Sequence, residues 1–267
     1  MLDFGFYNED CLPRMKEYPD NYFSLAIVDP PYGGGFTESG GCQGWFKKYH
    51  QSDESSQICQ VERERERRNA SRGLRFHGGS KNPKDPWNRY LVEDRGDMGA
   101  EVRKKIISWD VAPEREYFEE LFRISRNQII WGGNYFELPP TRCFLIWRKL
   151  SISDSFSMAM AEYAWTSFNK NAKVFECAPQ GKPDDPRFHP CQKPLALYRW
   201  ILENYAHEGD TILDTHVGSA SSLIACEQLG YKYVGFEIDE VYYKKAVERI
   251  KRETAQMTIF EWMKYTE

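Results

Sequence analysis

The chain of 267 residues and 31.4 kDa is 41% hydrophobic and 15% aromatic, enough apolar material for one large core. No apolar run approaches the roughly 20 residues of a membrane span, and no basic-then-apolar leader is read at the N-terminus, so a cytoplasmic location is expected. A formal charge of −4 excludes a uniformly basic nucleic-acid binder, and seven scattered cysteines without a C-x-x-C pair point to reduced thiols, with no metal site and no disulfide framework.

In chain order, a short strand is expected near Phe4 to Tyr7 and a helix around Cys11 to Glu17. The apolar run Tyr22 to Val28 reads as a buried strand that delivers Asp29-Pro30-Pro31-Tyr32 to its carboxyl end, where open α/β sheets place their ligands. The two prolines fix φ and remove two backbone donors, which leaves the carbonyls of the turn as acceptors. A carboxylate, an outward carbonyl and a flat ring suit a planar substrate ring bearing an exocyclic amino group. Gly33-Gly34-Gly35 ends regular structure and permits a mobile loop.

Residues 36–107 form a polar, biased insertion that includes the run Glu62 to Arg68. Residues 45–107 hold 15 Lys+Arg against 10 Asp+Glu, whereas the rest of the chain holds 21 against 30. A basic segment on an acidic body is compatible with phosphate contact, and equally with a solvated helix or a disordered loop. Order returns at Pro113 with an amphipathic helix through Tyr117, Leu121, Phe122 and Ile124. A strand from Gln128 to Trp131 is stopped by Gly132-Gly133. Cys143 to Trp147, Met160 to Trp165 and Val174 to Cys177 read as a strand series, expected to be antiparallel. The closing elements are a helix from Leu195 to Tyr205, a strand from Thr211 to Leu213, a helix from Ser221 to Leu229, a strand from Tyr233 to Phe236 and a helix from Val241 to Arg252. This β-α-β-α end implies a parallel, right-handed crossover.

Asp214-Thr215-His216-Val217-Gly218-Ser219-Ala220-Ser221-Ser222 sits at one of these strand-to-helix turns. Small residues there let backbone approach a ligand, and the helix N-terminus behind favours an anionic group. Glu237, with Ile238 and Asp239, follows at the next strand end, where an acid hydrogen-bonds ribose hydroxyls in nucleoside-binding α/β folds. The bland reading is a tight turn with an incidental surface Glu. No Gly-Lys-Ser/Thr phosphate loop and no G-x-G-x-x-G spacing occur, which argues against a nucleoside triphosphate and against NAD. Adenosine without a pyrophosphate points to S-adenosylmethionine.

Together these segments resemble the DNA amino-methyltransferases, enzymes that methylate adenine N6 or cytosine N4. Asp-Pro-Pro-Tyr comes first and the cofactor turn last, which looks like the permuted arrangement called the β class. His189-Pro190-Cys191-Gln192-Lys193-Pro194 matches the family's His-Pro-x-Gln-Lys-Pro segment, which lines the methionine end of the cofactor. Glu9-Asp10-Cys11-Leu12 looks like the family's Gly-Asp-Cys-Leu, with Asp10 facing the cofactor adenine, and Trp131 to Phe136 resembles a segment common among the adenine enzymes. The match covers about residues 4–35 and 109–252. The family's cofactor turn usually reads Asp-Pro-Phe-x-Gly-Ser-Gly-Thr-Thr; Thr215, His216 and Ala220 depart from it, and the last two are expected to weaken cofactor affinity without abolishing it.

The resemblance implies a Rossmann-like α/β methyltransferase sheet, mostly parallel with an antiparallel addition, forming one catalytic domain over residues 1–267. It assigns the catalytic role to Asp29, Pro30, Pro31 and Tyr32. Cofactor contacts fall to Asp10, Cys11, Asp29, His189, Gln192, Lys193, Pro194, Asp214, His216, Gly218, Ser219, Ser221, Glu237 and Ile238. The expected reaction moves a methyl group from S-adenosylmethionine to adenine N6 in double-stranded DNA, leaving S-adenosylhomocysteine. Asp29 and the Pro30 carbonyl accept the amino hydrogens, and Tyr32 stacks on a base extruded from the duplex. Residues 36–107 and 137–188 are the regions expected to contact DNA and to read its sequence. Asp in the first motif position favours adenine over cytosine N4 as a family tendency. An RNA or protein methyltransferase and a non-catalytic nucleic-acid-binding protein are the competing readings. A restriction endonuclease partner and the choice of monomer or homodimer stay open. His50, His77 and His207 read as surface or packing residues, and Trp87, Trp109 and Trp165 as core.

Overall fold

The computed structural model describes residues 3–33, 110–150, 152, 159–179, 187–189 and 191–264, with side chains as far as residue 255. By backbone proximity the chain divides into one unit of Met1–Pro30 with Pro113–Glu267 and a second of Pro31–Ala112. Of the second, residues 31–33 and 110–112 are described, and there the Gly33 amide donates to Asp110 Oδ1 at 3.2 Å. The expected mobile loop beyond Gly33, the insertion at 36–107, His50, His77, Trp87 and Trp109 lie outside the described residues, as do parts of 137–188.

The first unit is built on an eight-stranded sheet. In chain order its elements are β1 (Gly5–Tyr7), α1 (Cys11–Met15), β2 (Phe23–Val28), α2 (Arg115–Ile124), β3 (Ser125–Trp131), β4 (Phe144–Lys149), β5 (Ala161–Thr166), β6 (Lys173–Cys177), α3 (Leu195–Tyr205), β7 (Thr211–Asp214), α4 (Ser221–Leu229), β8 (Lys232–Phe236) and α5 (Glu240–Lys264). The strand order is β1-β8-β7-β2-β3-β5-β4-β6. The first five are mutually parallel, β5 runs against both β3 and β4, and β6 lies parallel to β4.

The mostly parallel α/β sheet is as expected, with one correction. The β4–β6 pair is parallel, although the series was expected to be antiparallel. Both edges of β5 are already taken, by β3 and β4, so β6 pairs on the free edge of β4. The short link after β5 reverses the chain, which leaves β6 pointing the same way as β4. Some bounds also differ. β3 starts at Ser125 instead of Gln128 because α2 runs straight into it, Ser125 adopting extended φ −127° and ψ 139°. α1 ends at Met15, short of Glu17. α5 continues past Arg252 to Lys264, in a stretch without Gly or Pro to stop it.

Alternation along the strands feeds two apolar layers, because successive side chains point to opposite faces. Leu25, Ile27, Ile129, Trp131 and Ile212 pack with Leu197, Ile201 and Leu202 of α3 on one face. Ala26, Val28, Ile130, Leu213 and Phe236 pack with Met15 of α1 and with Tyr117, Leu121 and Ile124 of α2 on the other. Each fully buried aliphatic contributes about 1.5–3 kcal/mol, so the central strands β2, β3 and β7 are the anchored part of the fold. Their carboxyl ends, with that of β8, share one edge. The reversed strand β5 brings its beginning to that edge.

Candidate functional site

β2 delivers Asp29 to the carboxyl edge, with a side chain 13% exposed. Lys193, just ahead of α3 and 4% exposed, places its ammonium against Asp29 Oδ2. The same ammonium lies 3.3 Å from Glu162 Oε2 and 5.2 Å from the centre of the Trp131 ring. Glu162 is the second residue of β5, and its Oε1 meets the Nζ of Lys149, the last residue of β4, at 2.6 Å. The contacts therefore alternate in sign: Asp29, Lys193, Glu162, Lys149. Burial works against the Lys193 ammonium, but Asp29 and Glu162 outweigh it and hold its pKa above the ordinary lysine value. Burial likewise opposes the Glu162 carboxylate, and Lys193 and Lys149 reverse that and pull its pKa down. The Trp131 Nε1 is buried with no hydrogen-bond partner among the described residues. Pro30 is buried, and Pro31 and Tyr32, which begin the second unit, are partly exposed.

The turn after β7 is organised by hydrogen bonds instead of ion pairs. Asp214 is buried, accepting the His216 amide at 3.0 Å on Oδ1 and the Ser222 hydroxyl on Oδ2. Burial pushes its carboxyl up to about 7. Gly218 has φ +54°, which favours glycine, and a Cβ there would sit a tight 3.1 Å from the His189 ring. Glu237 Oε2 accepts the Gly218 amide at 2.9 Å and Oε1 the Asp239 amide at 2.8 Å, so this carboxylate fastens the β8 end to the β7 turn. Burial raises the Glu237 pKa, against the pull of those amides. Ile238 beside it is exposed, and its carbonyl accepts from the Asn8 side-chain Nδ2 at 3.2 Å.

The departures from the expected turn sequence have visible roles. The Thr215 hydroxyl lies 2.6 Å from the Tyr117 hydroxyl and 2.9 Å from His216 Nδ1, linking α2 to the turn. The His216 ring meets Tyr117 edge-on at 5.4 Å, and burial lowers its pKa to about 4, so it is neutral at pH 7. Ala220 caps α4 in the left-handed region at φ +64°.

The segment before α3 closes the site. His189 packs edge-on against Tyr242, with ring centres 4.4 Å apart. Its Nδ1 accepts the Cys191 amide at 3.2 Å, which leaves the proton of the neutral ring on Nε2. Burial first, then Arg187 and Lys193, lower its pKa to about 3. Gln192 Oε1 accepts the Phe188 amide at 3.2 Å, and Pro194 precedes the first helical residue of α3 in extended conformation. The Ser221 hydroxyl donates to the Lys193 carbonyl at 2.8 Å, tying this segment to the turn, and Ser219 Oγ lies 3.3 Å from Ser221 Oγ. Asp10 caps α1 by accepting the Leu12 amide at 3.1 Å. Cys11 behind it is buried, its thiol pushed up to about 12 by burial and by Asp10.

The structure thus brings Asp29 to Lys193, Lys193 to the turn, and the turn to His189 and Glu237. Sequence reasoning missed Glu162, Lys149 and Arg249. The last, on α5 and 1% exposed, donates from Nη1 to the Ser219 carbonyl at 2.7 Å and to Ser221 Oγ at 2.8 Å. Trp165 is buried and its Nε1 donates to the Pro139 carbonyl, a core role as expected, and His207 is exposed.

A model of the DNA methylase family, which takes in both N6 and N4 enzymes, matches residues 44–248. The chain belongs to the DNA methylase family. Type II methyltransferase M.HpaI of Haemophilus parainfluenzae is 36% identical over 80 residues, which are 30% of this chain and 24% of that protein. Type II methyltransferase M2.MboI of Moraxella bovis is 25% identical over 257 residues, covering 88% of this chain and 83% of that one. M.HpaI and the E. coli methylase YubD are each matched over only about a quarter of their own length. Among solved structures, TTHA0409 of Thermus thermophilus, in complex with S-adenosyl-L-methionine, superposes with a TM-score of 0.44 at 14% identity over 93% of this chain and 95% of that one.

Proposed function

We propose that the chain transfers a methyl group from S-adenosylmethionine to the exocyclic N6 amine of adenine in double-stranded DNA, as a permuted, β-class member of its family. The observation that carries this reading is Asp29, held by Lys193 at the carboxyl edge of the sheet that also bears the Asp214 turn and Glu237. The residues fit an adenosyl ligand. Glu237 offers a carboxylate at a strand end, Gly218 and His189 form a cradle that a Cβ would fill, and residues 215–220 carry no Lys or Arg for a pyrophosphate. Asp10, Cys11, His216, Ser219, Ser221 and Ile238 complete that side, with Gln192, Lys193 and Pro194 toward the methionine end. When bound, S-adenosylmethionine supplies a methyl group on a positively charged sulfur.

The chain's own residues prepare the target. An adenine amine is a poor nucleophile because its lone pair is delocalised into the ring. Asp29 and the Pro30 carbonyl accept its two hydrogens, which draws the nitrogen toward tetrahedral geometry and exposes the lone pair for in-line attack. Asp29 acts as an acceptor and not as a strong base, with the Lys193 ammonium set against its Oδ2. The amine becomes far more acidic once methylated and then loses its proton readily. Tyr32 stacks on the extruded base, a contact worth roughly 1–3 kcal/mol. Relatives named as type II methyltransferases support a role beside a restriction endonuclease.

The test is incubation with S-adenosylmethionine and duplex DNA, followed by mass spectrometry of the nucleosides. N6-methyladenine is the expected product. N4-methylcytosine alone would overturn the choice of base, and methylation of RNA in preference to duplex DNA would overturn the choice of substrate.

A further inference from the structure

We propose that Glu162 is a positioning residue for methyl transfer, holding the Lys193 ammonium so that Asp29 shares that cation instead of being neutralised by it. The proposal rests on the reading of Asp29 as acceptor of the target amine.

Three observations carry it. Glu162 divides its two oxygens between two lysines that are themselves only 6% and 4% exposed. It occupies the start of β5, and only the reversal of that strand brings a residue so early in a strand to the edge where Asp29 sits. Lastly, a buried ionic chain is a poor device for stability, because apolar residues of similar volume commonly serve the fold as well or better. Four ionic side chains retained beside the catalytic strand end therefore call for a chemical reason.

Geometry supplies that reason. An ammonium given to Asp29 alone would draw the charge of its carboxylate onto one contact and weaken it as acceptor for an amine hydrogen. With Glu162 on the far side, the cation is divided between two carboxylates, and Lys149 balances the extra negative charge. Lys193 is faced by Asp29 from the β2 end, by Glu162 from β5, by the Trp131 ring from β3, and by His189 and Cys191 from its own segment. Of these, Asp29 and Glu162 are its counter-ions. Removing Glu162 also lets Lys193 release its proton at lower pH, since one of the two carboxylates that stabilise the ammonium is gone.

Glu162→Gln keeps the side-chain volume and removes the charge. With cofactor and DNA saturating, single-turnover methyl transfer is expected to slow roughly 10- to 100-fold. Affinities for S-adenosylmethionine by calorimetry and for duplex DNA should stay within about threefold. The Lys193 ammonium, followed at neutral pH by nitrogen NMR of lysine-labelled protein, should shift its resonance from that in the unmutated chain, because Glu162 Oε2 lies 3.3 Å from it. Lys244→Ala, which breaks an exposed pair with Glu240 on α5, should change none of these. If Glu162→Gln does not fold, the double variant with Lys149→Met leaves no unpaired charge between those two positions and takes the same measurements. Transfer within about twofold of the unmutated rate, a rate loss matched by equal loss of cofactor affinity, or an unchanged Lys193 resonance would each overturn the proposal. The unmutated chain is assayed first, so an inactive parent would instead remove the reading of Asp29 beneath it, and the proposal with it.

Discussion

At the β2 end of the carboxyl edge, Asp29, Lys193, Glu162 and Lys149 touch in alternating sign. At the β7 end, Asp214, His216 and His189 are driven toward their neutral forms because burial there outweighs the interactions that favour charge. One region spends desolvation on charges that an amine can use. The other removes charge and relies on amides, hydroxyls and a left-handed glycine to shape a cradle. A positively charged donor and a neutral base impose different demands. In the proposed reaction the cradle binds by shape and hydrogen bonds, whereas the acceptor needs a formal negative charge close to where positive charge develops.

One substitution in each region separates these roles most sharply. Asp29→Ala should lower methyl transfer by at least about 1000-fold while leaving S-adenosylmethionine affinity within about threefold, because the cradle lies on other strands. Arg249→Met should do the reverse. It strips the buried Ser219 carbonyl of a charged donor, so stability is expected to fall by about 1–3 kcal/mol and cofactor affinity by about tenfold. Denaturant unfolding and calorimetry read both. Equal losses of affinity in the two variants would show that the regions do not divide the work.

Most of this arrangement was legible because it is local. A strand end followed by Asp29 and two prolines, a turn of small residues at 214–222 and an acid at 237 each lie within a few consecutive residues, at strand ends on one edge of the sheet. What was hidden depends on register and packing. The Glu162–Lys149 contact arises from the antiparallel pairing of Trp147 with Glu162 and from the direction of β5, which alternation of apolar residues does not encode. Arg249 sits in a helix dense with charge, where only the packing of α5 on α4 distinguishes a buried arginine from its solvated neighbours. Thr215 and His216 stood out as departures from a family pattern, but Tyr117, the partner that gives them a role, comes from α2, nearly a hundred residues earlier.

The neutral character of the cradle has a measurable sign. Asp214 titrates at about 7 in the folded chain against 3.8 for the ordinary carboxyl, so between about pH 4 and 7 the folded state holds a proton that the unfolded state has released. That proton makes stability fall as pH rises. The buried histidines act oppositely: their lowered values mean that the unfolded chain binds the extra protons below about 6.5, and their stabilisation is lost as pH falls toward about 4 and about 3. Asp214→Asn deletes the first contribution alone. Stability measured by denaturant from pH 4.5 to 6 should therefore rise more steeply with pH in the variant, by one proton or about 1.4 kcal/mol per pH unit. Parallel curves would mean that Asp214 is ionised in the fold and that the cradle is not the neutral region it is taken to be.

The smallest expected effect concerns the one non-glycine that the turn holds in the left-handed region. At φ +64° and ψ 22°, Ala220 carries the strain of a Cβ near the following carbonyl, about 1–2 kcal/mol for an ordinary residue. Ala220→Gly relieves that strain. It also gives up a fully buried methyl worth about 0.8 kcal/mol and adds about 0.5–1 kcal/mol of backbone entropy to the unfolded chain. These contributions nearly cancel, so the melting temperature should move only slightly and stability by less than about 1 kcal/mol. Cofactor affinity is the sharper readout. If the methyl merely completes the apolar packing of Val217, Leu223 and Ile224, affinity stays within about threefold. A much larger gain would show that the methyl crowds the ligand, and that the cradle trades affinity for a packed turn.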